Sequence, residues 1–198
     1  VIHNAVSREE GERIYAAPKE TGEKVVLFLG RITFQKGPDY FVEAAAKVIE
    51  AVPGVRFVMA GSGDMMPRMI ERVAQLGIGS NFHFAGFLKG PEVERIYAMS
   101  DLYVMPSVSE PFGISPLEAM LYDVPVIISR QSGVSEILRH ALKVNFWDID
   151  ELACKMIAAL KYPSLMEELK KGCRQELDSI HWRSAAEKVQ AVYMKLAG

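Results

Sequence analysis

Short, continuous apolar runs alternate along this chain with stretches whose apolar positions recur at helical spacing. Val25-Val26-Leu27-Phe28-Leu29, followed by Gly30, has the pattern of a parallel strand buried on both faces. Pro38 can open a helix through Phe41, Val42, Ala45, Val48 and Ile49, and Pro53-Gly54 then marks a turn. Val55–Ala60 reads as a second strand, ended by Gly61-Ser62-Gly63-Asp64 and followed by a helix over about Met65–Leu76 that stops at Gly77. Phe82-His83-Phe84 is a short third strand with Gly86 after it, and Pro91 to Met99 a short helix. Leu102–Met105 is the fourth strand; after a loop, Pro116 through Leu121 is again periodic as a helix. Pro125–Ile128 reads as the fifth strand, Gly133–Leu138 as a short helix, and Lys143–Phe146 as a weaker sixth strand. From Asp150 the pattern is helical only: about Glu151–Leu160, a break at Pro163, about Ser164–Leu177, and about Ser184–Leu196. At the other end, Val1-Ile2 passes as a strand and the polar first 20 or so residues as a linker.

Strands and helices that alternate with short connections predict an α/β fold: a doubly wound, Rossmann-like parallel sheet of about six strands, helices on both faces, and a helical C-terminal segment. With 198 residues, 49% of them hydrophobic, the chain suits one domain with a core of good size. Its 23 basic and 25 acidic side chains give a net charge of −2 and no basic patch, so nucleic acid is not indicated. Cys154 and Cys173 lie in no metal or redox spacing, which suits a reducing, cytoplasmic compartment. Nothing approaches the ~20 apolar residues that span a bilayer; the longest candidate is Val124–Ile128. Val1–Glu10 carries charges and no apolar segment, so no signal peptide is expected, and a start on Val suggests a piece of a longer protein. None of His3, His83, His140 and His181 pairs with another ligand at metal spacing, so no metal site is predicted. Met65, Met66 and Met69 read as helix-packing residues, and Glu167-Glu168 with Lys170-Lys171 as a solvated helix face.

Candidate chemistry gathers after the strands. Gly30-Arg31-Ile32-Thr33-Phe34-Gln35-Lys36-Gly37 puts two cations between a strand end and a helix start, where backbone N–H groups favour an anion. Arg suits bidentate contact with phosphate oxygens and Lys acts as a point charge. Taken alone, both also read as solvated loop cations. The glycine spacing of a P-loop and its Ser/Thr after the lysine are absent. Gly61-Ser62-Gly63-Asp64 reads as a tight turn with Asp64 near an N-cap. Phe84-Ala85-Gly86-Phe87 either presents backbone groups to a base or is an ordinary turn. Ser115-Pro116-Leu117-Glu118 fits a capping box, worth about 1 kcal/mol, which by itself accounts for Glu118. Glu110, between Ser109 and Pro111, has no such account, and Gly113 would let a ligand approach the backbone.

These signals fall in one order, and nearly the whole chain, about Val1 to Leu196, resembles the C-terminal, donor-binding domain of retaining glycosyltransferases of the two-Rossmann-domain (GT-B) class. Glycogen, sucrose and sucrose-phosphate synthases belong to that class. Val1-Ile2-His3-Asn4-Ala5-Val6 resembles its opening strand and Asn-Gly-Val turn, with Ala5 where Gly is usual. Gly30-Arg31 to Lys36-Gly37 is similar to its phosphate loop, and Ala60–Gly63 and Phe84–Phe87 to further loops. Met105-Pro106-Ser107, then Glu110-Pro111-Phe112-Gly113 and Glu118, resemble its Glu-seven-residues-Glu signature. The resemblance implies that Arg31 and Lys36, with Gly30, hold the diphosphate of a UDP-, ADP- or GDP-hexose, and that Glu118 bonds the ribose. Glu110 and the backbone of Phe112, Gly113 and Ile114 would face the transferred sugar and its phosphate. Phe87 and Leu88 would lie near the base. It implies no required cofactor or metal, and a saccharide acceptor bound through a second, N-terminal domain.

Two stretches depart from the pattern. Gln131-Ser132-Gly133-Val134-Ser135-Glu136 has one Gly where two are frequent, and Leu138–Lys143 replaces a polar Asp-Gly segment. An epimerase of the same architecture and a non-catalytic nucleotide-binding module stand as alternatives. A phosphorylase would need a lysine for pyridoxal phosphate, and no convincing one is present.

Overall fold

The structure, a computed structural model, describes residues 3–6, 22–180 and 182–197. The strand expected at Val1-Ile2, most of the polar linker, and His181 lie outside the described residues. Six strands form one sheet: β1 (Val25–Leu29), β2 (Arg56–Ala60), β3 (Phe82–Gly86), β4 (Leu102–Met105), β5 (Val126–Ser129) and β6 (Leu142–Val144). Their order is β3-β2-β1-β4-β5-β6, and every neighbouring pair is parallel. The described helices are α1 (Pro38–Ala51), α2 (Met66–Gln75), α3 (Pro91–Met99), α4 (Ser115–Leu121), α5 (Ile149–Lys161), α6 (Pro163–Leu177) and α7 (Trp182–Ala197). The expected doubly wound sheet is therefore present, with a helical C-terminal segment.

The apolar runs are continuous because both faces of the sheet are covered. Successive strand side chains point to opposite faces. Val26 and Phe28 join Phe41 of α1, Met69 of α2 and Met156 of α5 in one core. Leu27 joins Tyr97 of α3, Leu117 of α4 and Cys173 of α6 in the other, and Tyr103 and Met105 alternate with Leu102 and Val104 in the same way.

The differences from the sequence reading lie at element ends. The sixth strand is Leu142–Val144, because Ser129 pairs with Val144 and a turn follows, in which Asp148 N–H donates to the Asn145 carbonyl. Asp148 then caps α5, its Oδ1 accepting from Glu151 N–H at 2.8 Å, so that helix starts earlier than its apolar periodicity suggests. Gly133–Leu138 makes a 3-10 turn over Gly133–Glu136 rather than a helix. Pro163 does not merely break a helix; it opens α6, where its fixed φ suits the first position. On the last helix the apolar side chains of Val189, Val192, Tyr193 and Leu196 are exposed. Among the described residues no helix is long and apolar enough to cross a membrane.

Beyond β1, β2 and β3 the chain moves to the far side of β1, where β4 pairs. The strand order thus reverses between β1 and β4. In an open parallel sheet the loops diverge there, and a crevice opens at the carboxyl ends of the strands.

Candidate active site at the switch point

The loops after β1, β2 and β3 are joined edge to edge. Gly30 N–H donates to the Ala60 carbonyl at 3.0 Å, Gly61 N–H to Gly86 at 2.7 Å, and Ile32 N–H to Ser62 at 2.9 Å. A Cβ on Gly61 would stand 1.8 Å from the Gly30 oxygen, so this turn needs glycine for backbone packing. Asp64, expected near an N-cap, caps nothing: Met65 holds that position and α2 has no side-chain cap. The chain is pinned there instead by Met65 N–H on the Ile32 carbonyl. A cavity of about 240 Å³ lies along these loop ends, lined by Leu29, Gly30, Arg31, Gly61, Phe87 and Leu88 among others. Phe87 is 65% exposed, and the Lys89 ammonium stands 5.5 Å from its ring centroid. Arg31 is exposed, its guanidinium donating to Gln35 Oε1 at 3.3 Å.

A smaller cavity, about 80 Å³, occupies the switch point itself and shares Leu29 and Gly30 with the first. Lys36, Tyr103, Ser107 and Ser115 line it. The turn that carries Lys36 is seated on the loop after β4. Val108 and Ser109 N–H both donate to the Gln35 carbonyl, at 2.9 and 3.3 Å, and a Cβ on Gly37 would meet the Pro106 oxygen at 2.2 Å. This brings the Lys36 ammonium onto Glu110 Oε2 in a part-buried ion pair.

Glu110 is held from behind by the loop after β5. It forms a parallel bridge with Ser132, Gly133 N–H donates to its carbonyl at 3.0 Å, and Val134 N–H donates to the Phe112 carbonyl at 2.7 Å. Gly113 has a φ of 98°, and a Cβ there would lie 3.0 Å from Met105 Cε and 3.2 Å from Glu110 Cγ. Met105 and Glu110 thus pack against Gly113 on the side where a Cβ would stand. The N–H groups of Phe112, Gly113 and Ile114 have no backbone acceptor among the described residues, and Ile114 is 38% exposed.

The expected capping box does not form. Ile114 already has helical backbone angles at the cap position, Ser115 is the first residue of α4, and no side chain caps the helix. The Ser115 hydroxyl accepts instead from Tyr103 Oη at 2.8 Å, and Glu118 Oε2 accepts from Tyr97 Oη at 3.0 Å. Tyr103 also reaches the Leu29 carbonyl at 3.1 Å, which ties β4 to the end of β1. Burial, first of all, pushes both phenol pKa values upward, and the Glu118 carboxylate adds to the rise in each. The two phenols are therefore neutral donors that fix the helix and its acid.

The structure thus brings Gly30, Arg31, Phe87 and Leu88 to one cavity and Gly30 and Lys36, with Glu110 through the ion pair, to the next, while Phe112, Gly113 and Ile114 follow Glu110 in the loop after β4 and Glu118 bonds Tyr97 from within α4. Sequence reasoning missed Tyr97 and Tyr103, and quoted Ser107 only as part of a motif. The available signal was a tyrosine inside an apolar strand, Tyr103, and another on the apolar face of a short helix, Tyr97; a buried hydroxyl must find a partner. Among the described residues no group of three His, Cys, Asp or Glu can hold a metal ion. Two cations, an apolar cavity with a flat aromatic side chain, and two carboxylates make a site for an anionic ligand with a planar group and hydroxyls.

An open parallel sheet with this crevice at its switch point has the fold of a C-terminal GT-B domain. The family described as glycosyl transferases group 1 matches residues 11–176, and the chain belongs to it. It is 42% identical over 118 residues to an uncharacterized glycosyltransferase of Methanocaldococcus jannaschii, covering 60% of this chain and 30% of that protein. It is 29% identical over 181 residues to the mannosylfructose-phosphate synthase of Agrobacterium fabrum, covering 85% and 40%. Its fold matches that of Anabaena HepE, solved in complex with UDP, with a TM-score of 0.85 at 18% identity, over 98% of this chain and 57% of that one. The chain therefore spans less than half the length of these two curated relatives.

Proposed function

We propose that this chain is the donor-binding half of a retaining hexosyltransferase that acts in the cytoplasm. The whole enzyme moves a hexose from a nucleoside-diphosphate sugar to a saccharide acceptor held by a second domain. The observation that carries this reading is the Lys36–Glu110 pair at the switch point, with Arg31 at the mouth of the adjoining apolar cavity. The base lies along Phe87 and Leu88, and Glu118 accepts from the ribose hydroxyls. Arg31 and Lys36 hold the diphosphate. As the glycosidic bond breaks, the leaving diphosphate gains negative charge. Arg31, Lys36 and the N–H groups of Phe112, Gly113 and Ile114 stabilise that charge where it develops, and this needs no metal. Glu110 leaves Lys36 for the sugar hydroxyls and orients the reacting carbon.

The test is calorimetric titration of this chain with UDP, ADP and GDP. UDP is the first to try, being the nucleotide seen in the fold neighbour. Binding is expected for at least one, weakened about tenfold or more by Arg31→Ala or Lys36→Ala. No binding by any of the three, or full affinity in both variants, sinks the site assignment. For the whole enzyme, the product should keep the donor's anomeric configuration. An inverted product, or an epimerised donor without transfer, overturns the mechanistic class.

A further inference from the structure

Ser107 belongs to the loop after β4 and is 0% exposed, yet its Oγ has no hydrogen-bond partner. Leaving a buried hydroxyl unpaired costs roughly 1–3 kcal/mol, so folded proteins seldom do it. Ser107 shares the switch-point cavity with Lys36 and Ser115. The Ser115 hydroxyl is engaged by Tyr103, whereas that of Ser107 is not. Contacts on both sides of Ser107 seat its loop on the turn of Lys36: Gly37 packs on the Pro106 oxygen, and the Gln35 carbonyl takes Val108 and Ser109 N–H. Lys36 has three N–H donors, and Glu110 takes one of them. A carboxylate outcompetes a neutral hydroxyl for an ammonium, which explains why Lys36 turns to Glu110.

We propose that Ser107 is a positioning residue for Lys36, its buried hydroxyl accepting from the ammonium once a bound diphosphate draws Lys36 away from Glu110. The inference rests on the donor-site reading above. Without an acceptor behind it, a lysine released from Glu110 would sample many rotamers. With one, it is held at the point where the diphosphate charge develops.

The experiment compares wild type, Ser107→Ala and Lys36→Ala by titration with the nucleoside diphosphate that binds wild type best, and by thermal melts without ligand. Ser107→Ala is expected to weaken binding about tenfold, the scale of one hydrogen bond to a charged group, while its Tm is equal to or above that of wild type. Ser107→Cys, which keeps a weaker acceptor, should fall between. A merely structural serine gives the opposite pattern, a lower Tm and unchanged affinity, and that overturns the proposal. So does a Ser107→Ala affinity equal to wild type when Lys36→Ala is weakened; the donor-site reading then stands alone. Failure of wild type to bind any of UDP, ADP or GDP overturns both.

Discussion

The Lys36 ammonium and the Glu110 carboxylate, 74 positions apart in the chain, form an ion pair where the sheet reverses its strand order. Their side chains retain 21% and 11% of their exposure, so each charge has lost much of its water and leans on the other. A diphosphate must compete with Glu110 for Lys36. Glu110→Gln keeps the shape and removes the competitor. We expect the variant to bind a bare nucleoside diphosphate about three- to tenfold more tightly, although transfer by the whole enzyme falls at least about a hundredfold. Calorimetry for the first and an initial-rate assay for the second check this. Weaker nucleotide binding by Glu110→Gln would show that the carboxylate does not restrain Lys36.

Glu118 serves Tyr97, and no cap. Removing the carboxylate leaves a buried phenol whose Oη has only a longer contact, 3.3 Å, to the Ser115 carbonyl. Glu118→Ala should cost about 1–3 kcal/mol of stability. Tyr97→Phe should cost less, and the double variant about the same as the dearer single one, because both delete the same bond. Denaturant melts of the four proteins give the coupling directly. Additive costs would mean that Glu118 stabilises α4 in some other way.

The fold was legible because both faces of the sheet are buried, which leaves unbroken runs such as Val25–Leu29 separated by Gly and Pro. The order of the strands was legible only as a class, since which side of β1 receives β4 is a property of the whole sheet. The loops carrying Arg31, Lys36 and Glu110 could be found from their positions after strands. The partnership of Lys36 with Glu110 could not, because it depends on Gly37 seating against Pro106. Ser115 misled for a related reason. Its spacing from Glu118 suits a capping box, but a hydroxyl bonds whatever donor is nearest, and Tyr103 arrives from β4.

Gly61 is the tightest approach in the crevice floor. Gly61→Ala places a methyl group 1.8 Å from the Gly30 oxygen, on a backbone with φ 138°. The β1 and β2 loops must then part, breaking the bonds from Gly30 N–H to Ala60 and from Ile32 N–H to Ser62. We expect a loss of about 3 kcal/mol or more, with the nucleotide site lost alongside. Gly54→Ala is the control, since its position also has positive φ but nothing lies within 4 Å of the added carbon. Chemical denaturation should separate the two variants by about 1 kcal/mol or more; equal costs would show that φ alone matters at Gly61.

Alkaline pH should loosen the second core. Burial pushes the Cys173 thiol up from 9.0 to about 12, aided by the charges of Glu176 and Asp123, and raises the Tyr97 and Tyr103 phenols above their usual 10.0. Each folded pKa lies above its unfolded value, so the native state binds these protons more tightly than the unfolded chain does. The stability this contributes is complete below pH 9 and is lost as the pH climbs toward the folded values. The melting temperature should therefore lose this contribution progressively from about pH 9 upward, and Cys173→Ala should show a shallower fall. The same burial predicts the thiol chemistry. Iodoacetamide at pH 8 should modify the exposed Cys154 and spare Cys173, which reacts only as the protein unfolds. Peptide mass spectrometry reads this directly. Equal labelling of both cysteines in the native protein would mean that α6 leaves the sheet far more readily than its packing implies.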